Sequence, residues 1–179
     1  MPFIPTNLKE VIIFCPDIYQ DERGYFFESY NEKLFAANGI TAKFVQDNQS
    51  FSKYGVLRGL HYQHEPFAQA KLVRVVSGAI FDAAVDIRKN SPDYGKWTGE
   101  ILSADNKKQM FIPRGFAHGF VVISEYAEVL YKCDNLYSPA HGAGIAYDDK
   151  NIAINWPLKK HEILLSEKDR ENPALDKTD

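Results

Sequence analysis

The chain of 179 residues contains only two cysteines, two methionines and two tryptophans. The two thiols, Cys15 and Cys133, are too few for a disulfide framework, and neither belongs to a C-x-x-C pair of the kind that holds zinc or does redox chemistry. Free thiols in a reducing compartment are expected. Charge of one sign is lacking too: 21 Lys plus Arg stand against 24 Asp plus Glu, a net −3. No broad basic field draws such a chain to nucleic acid or to an anionic membrane. Apolar runs such as residues 11–14 and 120–123 are short, against the roughly 20 apolar residues that cross a bilayer as a helix. The opening residues lack the basic, apolar and small-residue sequence of a secretory leader. The expectation is a soluble, cytoplasmic protein with neither nucleic acid nor membrane as partner.

Internal repeats, low-complexity tracts and Pro/Gly/Ser linkers are likewise missing, so residues 1–179 are expected to form one domain. What is abundant is apolar and aromatic content, 45% and 13% of the residues, enough for a core without staples. Short runs rich in Val, Ile, Phe and Tyr recur between Gly, Pro, Asn and Asp, the pattern of an all-β fold. They cover residues 10–14, 25–30, 43–50, 56–63, 71–76, 79–88, 96–102, 108–112, 119–123, 127–135 and 144–148. Such a set fills a sandwich or barrel. Two stretches read as helical: residues 32–38, capped by Asn31 and stopped by Gly39, and a short turn from the cap Ser166 to Arg170. Tight hairpin turns are expected at Ser77-Gly78 and near Asp105-Asn106.

Two segments carry chemistry. In the first, which runs from Gly55 through His61 and Gln63 to Lys71 and Arg74, a period of two puts Leu57, Gly59, His61 and Gln63 on one face of a strand. The same period puts Lys71, Val73 and Val75 on one face of the next. If both faces turn inward, His61 and Lys71 share a cavity. Arg58 has the wrong parity to join them, and Gly59 is the place where a bulge would re-aim it. In the second segment, Pro113 and Gly115 frame a turn that delivers His118 to a strand.

Together these segments resemble the paired motifs of the cupin superfamily, which implies a double-stranded β-helix or jelly roll with a few short helices. In that pattern a second histidine would stand where this chain has Gln63, and no carboxylate follows at the expected spacing. His61 and His118 alone fall short of the three or four ligands a divalent ion wants, and Lys71 would repel one, so no metal is expected. An imidazole beside an ammonium suits proton abstraction next to a carbonyl, with the cation stabilising the enolate oxygen. Asp169 is the candidate to orient the imidazole, and Tyr131, which shares parity with Val129 and Cys133, is the candidate acid on the opposite side. His141 and His161 lie in polar sequence and are expected to be solvated.

The resemblance sharpens over nearly the whole chain. The stretches 21–30, 44–48, 56–61, 71–74, 81–88 and 112–120, then Tyr131-Lys132, Tyr137 to Pro139, Asn155 to Pro157 and Leu165 to Asp169, follow in order the pattern of the dTDP-4-dehydrorhamnose 3,5-epimerase family. That resemblance implies a dTDP-linked 4-keto-6-deoxyhexose as substrate, epimerised at carbons 3 and 5 without a cofactor, the alternatives being an epimerase of one of these carbons alone or a non-catalytic sugar-nucleotide-binding cupin. It implies His61 as base, Asp169 as its partner, Lys71 as enolate stabiliser and Tyr131 as acid. Arg23, Arg58, His118 and Lys168 would serve the diphosphate or sugar. Gln46, Asn48 and Glu28 would hold the nucleotide, and Tyr19 and Tyr137 would supply aromatic surface. It implies a homodimer whose N-terminal segment, with Arg23 and Glu28, completes the partner's site. Three positions depart from the pattern: Gly142 where a substrate-contacting Glu is common, Ala70 for Gly, and Arg114 for Glu.

Overall fold

The structure, a computed structural model, describes residues 2–178. In chain order the strands are β1 (Phe3–Pro5), β2 (Ile12–Phe14), β3 (Tyr19–Asp21), β4 (Gly24–Phe26), β5 (Gln46–Lys53), β6 (Leu57–Gln63) and β7 (Lys71–Ser77). They continue as β8 (Ala79–Asp86), β9 (Trp97–Ser103), β10 (Gln109–Ile112), β11 (Phe116–Val122), β12 (Tyr126–Cys133) and β13 (Gly142–Gly144). The α-helices among the described residues are α1 (Glu32–Ala37) and α2 (Glu167–Arg170), and three 3-10 turns accompany them.

Two antiparallel sheets face each other, one in the order β1-β2-β10-β7-β12-β5 and the other β13-β6-β11-β8-β9, while β3 and β4 form a separate hairpin. This is the expected cupin-type jelly roll. The alternation read from the sequence sets the faces. Val73, Val75, Met110, Ile112, Ala127 and Val129 of the first sheet meet Ile80, Ala84, Leu102, Phe116, Phe120 and Val122 of the second. The intervening residues Leu72 and Phe111 turn the other way, onto Phe14, Ile40 and the α1 residue Phe35. On the outer face of the second sheet, Leu60, Val85 and Ala117 are covered by Ile145, Ile152 and Leu175.

The helices begin where expected: Asn31 Oδ1 accepts from the Leu34 amide at 3.2 Å, and Gly39, at φ +85°, follows the end of α1. The two expected hairpins are corrected. Turns do form at Ser77-Gly78 and at Asp105-Asn106, but β7 and β8 lie in opposite sheets, as do β9 and β10. Each turn is a corner where the chain crosses from one sheet to the other, which local turn chemistry cannot distinguish from a hairpin. The strand expected over 144–148 is corrected: strand β13 lies earlier and shares only Gly144 with it, residues 145–148 being irregular chain and turn, and the strand expected over 25–30 ends at Phe26, leaving Glu28 exposed in irregular chain.

The C-terminal segment is tied down by one buried carboxylate. Asp149 accepts from the amides of Asn151 (2.7 Å), Ile152 (3.0 Å) and Leu175 (2.8 Å). Burial pushes its pKa up, but the three amide bonds outweigh burial and hold it below the ordinary 3.8. Its stabilising contribution is therefore present above pH 3.8 and lost as the pH falls through the lower folded-state value. Asp149→Ala, which strands three amides, is expected to cost about 3 kcal/mol in denaturant unfolding at pH 7, and the gap between variant and parent is expected to close as the pH drops below 3.8.

Candidate active site

A cavity of about 630 Å³ opens at one end of the roll, in the size range of small-molecule sites. It is lined by β5, β6, β7, β12, the turn before β13 and the approach to α2.

The geometry starts from an irregularity in β6. On β11, His118 and Phe120 are two residues apart, yet their partners on β6 are His61 and Arg58, three apart. One extra residue is accommodated at Gly59-Leu60. Directly opposed residues of an antiparallel pair share a face, and Phe120 faces the core between the sheets. Arg58 and His61 therefore both turn inward, although a regular strand would put them on opposite faces. Gly59 adopts φ +136°, and a Cβ there would lie 2.5 Å from Gly119 Cα and 2.9 Å from the His118 carbonyl oxygen. The bulge that the sequence suggested at this glycine re-aims Arg58 into the cavity, where Nε donates to Ser52 Oγ at 3.0 Å.

His61 meets Asp169 at the cavity wall, Nε2 to Oδ1 2.5 Å. The carboxylate comes from far along the chain. Leu57 N donates to the Leu164 carbonyl (2.9 Å) and Leu164 N to that of Gly55 (2.8 Å), which lays the C-terminal segment beside β6. Ser166 then caps α2, its Oγ accepting from Asp169 N at 3.1 Å. Asp169 is 5% exposed and His61 39%. Burial raises the Asp169 pKa, but the His61 hydrogen bond and charge, the Ser166 hydroxyl and the Gly59 amide together hold it below the ordinary 3.8. An ionised carboxylate only accepts, so the neutral imidazole carries its proton on Nε2 and has a bare Nδ1.

Behind this pair lies a second. His118 Nε2 is 2.7 Å from Asp82 Oδ1, and its Nδ1 is 3.4 Å from Lys71 Nζ. Burial pushes the pKa of Lys71 down, against the opposing influence of Cys133 and Asp82. Burial, then the Lys71 and His61 charges, also lowers that of His118, against the opposing Asp82 carboxylate. Tyr131 is half-buried, and burial raises its pKa, so the phenol keeps its proton and is a donor. An imidazole, a lysine and a phenol thus line one cavity.

The structure gathers His61, Lys71, Tyr131, Asp169, Gln46, Asn48, Arg58, Tyr137 and Lys168 around this cavity. His118 is buried behind Lys71. Tyr19 and Arg23 sit apart on the β3–β4 hairpin, with Arg23 paired to Asp21 at 2.5 Å, and Glu28 lies outside the cavity. Gly142 lines the cavity with ordinary backbone angles, φ −73° and ψ 127°, and a Cβ there would be 3.6 Å from the nearest atom, so the position has room for a side chain.

Some contributions escaped sequence reasoning. Asp82 stands at inward parity between the core residues Ile80 and Ala84, and an acidic residue in such a run was the available signal. Gln63 donates from Nε2 to the Phe67 carbonyl (2.7 Å) and the Leu136 carbonyl (3.2 Å), and accepts from Ser138 N (2.7 Å). Its amide holds the loop that carries Tyr137. Among the described residues no group of three or more His, Cys, Asp or Glu side chains converges as a metal cage. His141 is not solvated as expected: it is half-buried, 2.8 Å from Ser138 Oγ and with its ring 4.5 Å from that of Phe67. His161 is exposed, as expected.

Fold and site define a jelly-roll protein equipped for proton transfer at carbon. The family model for dTDP-4-dehydrorhamnose 3,5-epimerase matches residues 5–177, and the chain belongs to that family. The dTDP-4-dehydrorhamnose 3,5-epimerase of Shigella flexneri is 56% identical over 170 residues, covering 94% of this chain and 93% of its own. That of Methanothermobacter thermautotrophicus is 53% identical over 179 residues, covering 96% of each. Among solved structures, the dTDP-6-deoxy-D-glucose-3,5-epimerase of Legionella pneumophila in complex with dTDP-4-keto-L-rhamnose superposes with a TM-score of 0.96 at 49% identity, covering 99% of this chain and 94% of that one.

Proposed function

We propose that this protein epimerises carbons 3 and 5 of dTDP-4-dehydro-6-deoxy-D-glucose to give dTDP-4-dehydro-L-rhamnose, as a step of dTDP-L-rhamnose synthesis in the cytoplasm. The observation that carries the reading is the His61–Asp169 pair opening onto the same cavity as Lys71 and Tyr131. The carbon-4 ketone acidifies the neighbouring C–H bonds. His61, bare at Nδ1, takes the proton, and Asp169 stabilises the imidazolium that results. Lys71 donates to the oxygen as it gains enolate charge, an effect worth on the order of 10²-fold or more in rate for one well-placed donor. Tyr131 returns a proton from the other face, which inverts the centre. Bonding electrons never leave the substrate, so the chemistry needs no redox cofactor.

Around this centre Arg58 and Lys168 offer cationic donors to the diphosphate, Gln46 and Asn48 polar contacts to the nucleotide, and Tyr137 a ring surface. Tyr19, Arg23 and Glu28 lie outside the cavity of their own chain, and we read them as serving the site of a second copy. The β3–β4 hairpin supports this. A two-stranded hairpin is marginal alone, yet this one exposes Tyr19 (63%), Tyr25 (60%) and Phe26 (69%). Those rings suit burial against a partner in a homodimer.

Two experiments test the reading. In deuterated water, proton NMR with dTDP-6-deoxy-D-xylo-4-hexulose is expected to show solvent deuterium entering at both carbons. His61→Asn is expected to slow exchange at both by about 10³-fold or more, and Tyr131→Phe to impair inversion more than exchange. Deuterium at one carbon would mean a single-position epimerase, and none with nucleotide still bound would mean a binding protein. For the dimer, His61→Asn and Arg23→Ala chains, each nearly inactive alone, are expected to regain activity when unfolded together and refolded as a mixture. Only a site built from both chains gives that result, and no recovery would place Arg23 outside the partner's site.

A further inference from the structure

The reaction uses Lys71 as an ammonium, yet that group sits where burial favours its neutral form. Its surroundings are informative on every side. On β10, the residue in register with Lys71 is the apolar Ile112, and on β12 it is Cys133. The Cys133 thiol is buried and its pKa is raised, with burial the largest cause, so it is uncharged at neutral pH. Tyr131, also on β12, keeps its proton, and Asn48 of β5 is neutral. From β6 come Arg58, which is cationic, and His61, whose carboxylate partner Asp169 of α2 is already engaged. From β11 comes His118, and behind it, from β8, comes Asp82.

Asp82 is fully buried, and its single hydrogen bond among the described residues is the one to His118, with Oδ2 taking none. Lys71 stands on the far side of the same imidazole, its Nζ 3.4 Å from the other ring nitrogen. The protons fall in one consistent order. The carboxylate accepts from Nε2–H, the other ring nitrogen is left as a lone pair, and that lone pair faces Lys71 Nζ. Reversing the tautomer would turn an N–H of the ring toward an ammonium that can only donate.

We propose that Asp82 is a positioning residue for the epimerisation: through His118 it fixes the acceptor that seats the Lys71 ammonium, and its charge keeps that ammonium protonated at the pH where the enzyme works. The inference rests on the function proposed above. It separates this second His–Asp pair from the first. In the His61 pair the imidazole gains and loses a proton at each turnover, whereas in the His118 pair the ring stays neutral and relays a charge. No bond to substrate is made by Asp82.

The test begins with the parent protein, because it needs no catalysis. Nitrogen-15 NMR of histidine-labelled enzyme is expected to show His118 as the Nε2–H tautomer with a bare Nδ1, neutral to a pH below 6.5. A proton on Nδ1, or a doubly protonated ring at neutral pH, would overturn the proposal while leaving the deuterium-exchange result untouched. Asp82→Asn keeps the shape and removes the charge. Loss of an opposite charge lowers an ammonium's pKa, so the alkaline limb of kcat/KM is expected to move down by about one pH unit, with KM for the nucleotide sugar little changed. On a Lys71→Met background the same substitution is expected to move nothing further. A folded Asp82→Asn enzyme with a lower rate but an unmoved alkaline limb would assign Asp82 a purely structural role. If that variant fails to fold, the tautomer measurement still decides.

Discussion

Close contact between two glycine backbones, Gly59 on β6 and Gly119 on β11, is the constraint on which the site depends. Because neither residue has a Cβ, the strands approach closely enough for β6 to carry one extra residue against its partner. That single insertion has two consequences. It turns Arg58 to the same face as His61, and it aims the Gly59 amide at Asp169. A regular strand would keep His61 in the cavity but lose the cation beside it and one of the bonds that keeps Asp169 ionised.

Around the bulge the charges are arranged in two layers. The inner layer, Asp82, His118 and Lys71, lies between the sheets, with the imidazole of His118 standing between the carboxyl group and the lysine nitrogen. The outer layer, Asp169 and His61, is the one that changes, because His61 is open to the cavity and Asp169 is not. On the proposed reading, a proton arriving on His61 would meet a carboxylate ready for it, while enolate charge would meet Lys71. Each charge that develops in that reaction would have a counter-charge already in place, so little reorganisation would be left for the chemical step. The Gln63 amide, fully engaged with backbone groups, serves the same end by fixing the Tyr137 loop.

Much of this was legible in the sequence because a strand has a period of two. Parity alone placed Lys71 with Val73 and Val75, and Tyr131 with Val129 and Cys133, and the structure keeps those faces. The glycine pattern located the bulge, and Asn31 and Ser166 marked both helix starts. What stayed hidden was long-range. Nothing local says that the chain at Ser77-Gly78 leaves one sheet for the other, since a corner and a hairpin use the same turn residues. Asp169 stands 108 positions from His61, and only the resemblance to a family joined them. Asp82 is hidden because its run reads as core, although a carboxylate at core parity must be paired with something.

The measurement closest to the central claim is deuterium exchange and dTDP affinity in Gly59→Ala, after circular dichroism has shown that the variant folds. A Cβ at 2.5 Å from Gly119 Cα must push β6 away from β11. The expected result is a folded protein in which exchange at both carbons falls by about 10²-fold or more and nucleotide affinity falls with it, because Arg58 and the His61–Asp169 pair are displaced together. A folded Gly59→Ala protein that exchanges deuterium and binds dTDP like its parent would contradict the account.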